Sequence, residues 1–172
     1  VDLCKVLELL PDGAHFLLRA GIGWREGVIG QVQLGTGRDS QSGYTLVTDE
    51  PVIVEDLHTE RRFRGPQIVL EHGGRSGMSC IIGGTARPWG VLTAITTSLR
   101  QFTHDDIAFL QSVANVLAAA IQRRNAEEKL QASEAKHRAM FTALVEGVVF
   151  VDLQGRIEEA NAKVLKVVIK AD

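Results

Sequence analysis

The stretch that most constrains this chain begins at Phe102-Thr103-His104-Asp105-Asp106. Thr103 can cap a helix, and Asp106 stands three residues on, in capping-box spacing. Phe102 and Ile107 flank the cap as a hydrophobic staple, and His104-Asp105-Asp106 places acid at the positive end of the helix. The helix that follows is expected to bury Phe109, Leu110, Val113, Val116, Leu117, Ala120 and Ile121, a face wide enough to lie on a sheet. After Ile121 the character changes: between Gln122 and Ala139 the only large aliphatic residue is Leu130. Arg123 with Glu127, Arg124 with Glu128 and Glu134 with Arg138 are spaced as i,i+4 pairs, each contributing about 0.2–0.5 kcal/mol. The pattern predicts one helix that outruns the core it packs on. Met140, Phe141 and Leu144 then start a second apolar cluster, and Gly147 is expected to end the helix.

Ahead of that helix the chain reads mostly as strands. Residues 3–10 and 14–20 are apolar runs joined by Pro11-Asp12-Gly13, a turn sequence, and are expected to form a hairpin. Residues 21–43 are glycine-rich and lose periodicity, which predicts a long, partly irregular segment over the sheet. A helical turn is expected at residues 44–47 and a short strand at residues 52–54. Pro66 and Gly73 punctuate a short helix. Residues 76–83 alternate, with Met78, Cys80 and Ile82 on one face, and residues 90–97 read as the partner strand. Strand hairpins mixed with helices fit an α+β class.

Composition removes several functions. At 172 residues the chain holds one fair-sized core, or one domain and part of another. A net charge of −2 gives no pull toward nucleic acid, and no apolar run reaches the roughly 20 residues that span a bilayer. A soluble cytoplasmic protein is the expectation. Cys4 and Cys80 read as reduced, buried thiols, and the spacing of the five histidines suggests no metal site. Gly21-Ile22-Gly23 with Gly27 lacks the following helix that a dinucleotide site needs, so it reads as a structural turn.

Taken in order, several segments resemble a GAF domain: residues 18–27, 50–57, Arg62-Phe63, 75–79, 87–92, 102–106 and 109–117. Residues 134–165 resemble the start of a PAS domain, through Ser133-Glu134, His137-Arg138, Glu146-Gly147, Asp152, Gly155-Arg156-Ile157 and Ala160-Asn161. After Val164 the Gly-Tyr or Gly-Phe pair usual in that family is missing. The double resemblance is similar to bacterial sensor histidine kinases and diguanylate cyclases. It implies an α+β fold, an α/β sandwich of antiparallel sheet and helices: a GAF-like sensory domain over residues 1–124 without its opening helix, a helical linker over 125–139, and a truncated PAS-like segment over 140–172. It also implies a non-catalytic regulatory role, a small-molecule ligand or partner, and a homodimer through helix 106–146. The implied pocket is roofed by residues 21–43 and 58–75, with Tyr44, Asp56, Arg62, Phe63 and Arg75 as candidate walls. His58 and His72 lie near that roof. No covalent chromophore is expected, because residues 58–76 hold no cysteine, and no cofactor is specified. Two other readings stay open: a ligand-free dimerisation module, and a thiol-based methionine sulfoxide reductase using Cys4 and Cys80.

Overall fold

The computed structural model describes residues 1–84 and 86–148, with side chains described through Thr142. Six antiparallel strands form one sheet in the order β3-β2-β1-β6-β5-β4. The strands are β1 (Leu3–Leu9), β2 (His15–Ile22), β3 (Gln33–Gly35), β4 (Val52–Val54), β5 (Ser76–Ile82) and β6 (Gly90–Thr96). Three helices are α1 (Gln41–Thr48), α2 (Gln67–Glu71) and α3 (His104–Val148). The chain divides into two units, Val1–Gln122 and Arg123–Asp172.

The first hairpin turns where Pro11-Asp12-Gly13 predicts. Asp12 Oδ1 accepts the Ala14 amide at 2.9 Å, and Gly13 takes a φ of 69° that a side chain would strain. β5 and β6 form a hairpin and β6 also pairs with β1; apart from half-buried Ile81 every residue of β5 and β6 is buried, so these two strands are covered on both faces. On one face Met78, Cys80, Ile82, Leu92 and Ala94 meet Phe102, Leu110, Ala114 and Ala118. On the other face α1, α2 and the loops lie over two apolar clusters. One holds Leu3, Val52, Val54, Leu57, Phe63, Val69 and Ile95; the other holds Leu7, Phe16, Leu18 and Val91.

The capping box at the start of α3 forms in both directions. Thr103 Oγ1 accepts the Asp106 amide at 3.2 Å, and Asp106 Oδ2 accepts the Thr103 amide at 2.8 Å. Arg100 adds an ion pair to Asp106 at 2.7 Å. The face that α3 buries differs from expectation. Leu110, Ala114 and Ala118 are buried, with Ile107, Val113, Leu117 and Ile121 packed beside them. Phe109 and Val116 are about 70% exposed, and Ala120 is exposed. At 100° per residue, Phe109, Val116 and Ala120 fall on one stripe nearly opposite Leu110, Ala114 and Ala118. A single helical face cannot hold both sets. The small alanines take the inner one because they let the helix approach the sheet.

Two more differences concern residues 21–43. The segment holds β3, a three-residue edge strand with only Leu34 partly buried, too short to show alternation. α1 also starts three residues before Tyr44. Ser40 caps it, its hydroxyl accepting the Gly43 amide at 3.1 Å. In the second unit every side chain from Arg123 to Thr142 is exposed, and Arg123–Glu127 and Arg124–Glu128 close at 2.9 and 2.8 Å. The expected strands and helix after residue 148, and with them most of the PAS-like segment, lie outside the described residues.

Candidate functional site

The face of the sheet under α1 is apolar except for one row. Strand register sets Gly21, Lys5, Thr93 and Ser79 side by side across β2, β1, β6 and β5. Leu3 and Ile95 flank the row on one side and Leu7 and Val91 on the other, so this row separates the two apolar clusters. Lys5 is only 1% exposed, and Thr93 and Ser79 are fully buried. Gly21 leaves room for Trp24: a Cβ there would meet the indole Nε1 at 2.7 Å. That Nε1–H donates to the Cys4 carbonyl at 2.7 Å, and the ring packs against both clusters.

α1 supplies the other wall, over β5 and β6. Thr45 Oγ1 donates to the Gln41 carbonyl at 2.8 Å, which leaves the Ser79 hydroxyl to donate to Thr45 Oγ1 at 2.7 Å. This pair ties the helix to the polar row. Four buried polar atoms have no hydrogen-bond partner among the described residues: Lys5 Nζ, Thr93 Oγ1, Gln41 Nε2 and Ser42 Oγ. Buried polar groups are nearly always paired, and a buried unpaired charge is costlier still. Burial lowers the Lys5 pKa to about 8. Beside the first turn of α1 opens a cleft of about 300 Å³, lined among others by Leu34, Asp39, Ser40, Ser42, Arg64 and Gln67.

The five residues expected to wall a pocket fall into two groups. Tyr44 of α1 and Phe63 pack with ring centroids 5.3 Å apart, and the Arg62 guanidinium lies 5.7 and 5.5 Å from their centroids. Arg62 is already engaged, donating to Glu60 at 2.6 Å and to the Ile53 carbonyl at 2.6 Å. That guanidinium, with the Arg61 and Arg62 amides, pushes the Glu60 pKa down to about 2. Asp56 and Arg75 form the second group, 3.3 Å apart. The His58 amide, then Arg75 and the His58 ring, hold the Asp56 carboxyl below the usual carboxylate range.

His72 has both ring nitrogens occupied. Nδ1–H donates to the Ile68 carbonyl at 2.7 Å and Nε2 accepts the Arg25 amide at 3.2 Å. No group of side chains that could hold a metal ion occurs among the described residues. Nor is any helix among them long and apolar enough to cross a membrane. Cys4 and Cys80 lie on the α3 face, away from the polar row, diagonally across β6. Desolvation raises both thiols' pKa, that of Cys80 to about 11, which suppresses the thiolate needed for exchange chemistry.

Sequence reasoning missed Lys5, Thr93, Ser79, Thr45 and Gln41. One signal was available: Lys5 is a lone cation in Leu3-Cys4-Lys5-Val6-Leu7, a strand apolar on both faces and therefore central.

The GAF domain family model matches residues 1–121, and the chain belongs to that family. No curated protein matches it. Among solved structures, the GAF domain of an Acinetobacter phosphoenolpyruvate-protein phosphotransferase is 21% identical, with a TM-score of 0.63, covering 75% of each chain. A domain of a putative two-component sensor histidine kinase from Sinorhizobium meliloti is 18% identical, with a TM-score of 0.58, over 76% of this chain and 85% of that one. Type II free methionine-R-sulfoxide reductase from Thermoplasma acidophilum is 17% identical, with a TM-score of 0.56, over 69% and 77%. At these identities the likeness is one of fold.

Proposed function

We propose that this chain is a regulatory sensory module that holds a small molecule between α1 and the sheet and relays its presence through α3. One observation carries the reading: a polar row crosses between two apolar clusters, and two of its buried groups, Lys5 Nζ and Thr93 Oγ1, have no hydrogen-bond partner among the described residues. A domain with no ligand gains nothing from such a row, because apolar residues of similar shape would be as stable or more so. Tyr44, Arg62 and Phe63 form the rim beside α1, and Asp56 with Arg75 braces the loop before β5. The likeness to a sensor kinase domain supports an output domain further along the parent protein, with the truncated PAS-like segment of residues 140–172 leading toward it. The module itself is non-catalytic. Its two thiols, Cys80 buried and Cys4 half-buried, lie on the wrong face for a reductase site under α1.

The relay needs two chains. We infer a parallel homodimer through helix 106–146. Phe109, Val116 and Leu130 are exposed and stand at multiples of seven residues, the repeat of a coiled-coil seam. Polar Arg123 and His137 occupy the same repeat, which makes the seam weak and able to shift.

The test is mass spectrometry of small molecules released by denaturing protein that was purified under native conditions. The reading predicts one compound in near-stoichiometric amount. Protein that releases nothing, from any host or growth condition tried, contradicts it.

A further inference from the structure

We propose that the ligand of the row under α1 is a small oxyanion, a carboxylate or an inorganic anion, with the Lys5 ammonium as its counter-charge. The proposal rests on the sensory reading above and adds the chemistry of what is sensed.

The unpaired groups decide that chemistry. Lys5 Nζ offers three N–H donors and no acceptor, and Gln41 Nε2 offers two donors. The Thr93 hydroxyl, next to Lys5 across the β1–β6 pairing, can donate as well. Ser79 and Thr45 already satisfy each other, so they position α1 and leave the donors uncommitted. The unmet demand is therefore for acceptors and for one negative charge. A neutral ligand would leave the ammonium uncompensated, and a cation would add to it. No acidic side chain meets that demand among the described residues. The strand neighbours of Lys5 in the row are Gly21 and Thr93; from α1, Thr45 reaches the row at Ser79, and Gln41, one turn earlier, lies over Gly77 of β5 beside it. None of these neighbours can ionise. Trp24, over β1, donates its only N–H to the Cys4 carbonyl.

An oxyanion answers all of this. Its oxygens accept from Lys5, Thr93 and Gln41 together, bridging β1, β6 and the first turn of α1. Because Gln41 belongs to α1, the anion holds the helix to the sheet beside the Thr45–Ser79 hydrogen bond. Loss of the anion frees that end of α1.

The experiment follows thermal unfolding of protein stripped by unfolding, dialysis and refolding. The probes are acetate, succinate, nitrate and phosphate, with acetamide as the uncharged control and sodium chloride holding ionic strength. At least one oxyanion is expected to raise Tm saturably, and acetamide to leave it unchanged. Lys5→Met should weaken that anion at least tenfold. Thr93→Val, which keeps shape and removes one hydroxyl, should weaken it less and serves if Lys5→Met fails to fold. A flat response to every anion overturns the proposal and points to water in the row. An equal response in wild type and both variants also overturns it. If native purification yields a bound neutral molecule, the sensory reading stands and the oxyanion is wrong. If it yields nothing and no anion binds, both fall.

Discussion

An ammonium held between Leu3 and Leu7 on a central strand, with no partner among the described residues, destabilises the fold whenever it is charged. Burial sets the Lys5 pKa at about 8, against roughly 10.4 in an unfolded chain. Between those values the unfolded chain holds the proton and the folded one does not, so stability rises with pH across the window. Below about 8 both states are protonated and the penalty is constant, near 3 kcal/mol. Anion-free Lys5→Met is therefore expected to be about 1–3 kcal/mol more stable than wild type at pH 7, with the advantage shrinking toward pH 10. Urea unfolding at several pH values measures this as a difference between two proteins. The difference cancels Cys4 and Cys80, whose raised pKa values act in the opposite sense. A less stable Lys5→Met, or an advantage independent of pH, would contradict the assignment. The site escaped sequence reasoning because its members are spread over four elements, from Lys5 to Thr93. Each is an ordinary residue locally, and only the strand register brings them into one row. Arg62 and Arg75 stand out in the sequence instead because charge clusters locally in residues 58–75; in the structure Arg62 pairs with Glu60 and Arg75 with Asp56.

At the scale of elements, α3 is the part whose start is most firmly written in local chemistry. Thr103→Ala removes one side of the capping box and is expected to cost about 0.5–2 kcal/mol, read by urea unfolding. The Thr103 amide, ahead of Arg100, holds the Asp106 carboxyl below its usual value. Its contribution is present above the unfolded carboxylate pKa and is lost as pH falls through the lower folded one. Thr103→Ala keeps that amide but removes the hydroxyl that also donates to Asp106 Oδ2 at 3.1 Å, so its cost should fall in acid by the part this hydroxyl–carboxylate bond carries, and a cost independent of pH would count against that bond. The hairpins were legible for the same reason as the cap: Pro11-Asp12-Gly13 and the period-two alternation of β5 act within a few residues. The inner face of α3 was not. Hydrophobicity marks Phe109 and Val116 as core, whereas close approach of helix to sheet selects Ala114 and Ala118. β3 is fixed by its pairing with β2 and has no local signature.

For the whole molecule the exposed Phe109, Val116 and Leu130 argue for a second chain. Sedimentation equilibrium at micromolar concentration is expected to give a dimer, and Leu130→Asp to shift it toward monomer; an unchanged monomer in both would remove the seam. The proposed sensing requires a coupling between the row under α1 and the helix that leaves the sheet's other face. The two are separated by one sheet, whose β5 and β6 carry Ser79 and Thr93 toward α1 and Cys80 and Leu92 toward α3. Hydrogen exchange on protein as purified, compared with protein stripped by unfolding and refolding, tests this coupling most directly. The account predicts slower exchange in the as-purified protein at α1, β1 and β6, together with a changed rate in α3 beyond Leu110. Identical exchange throughout, in protein shown to carry its small molecule, would contradict it.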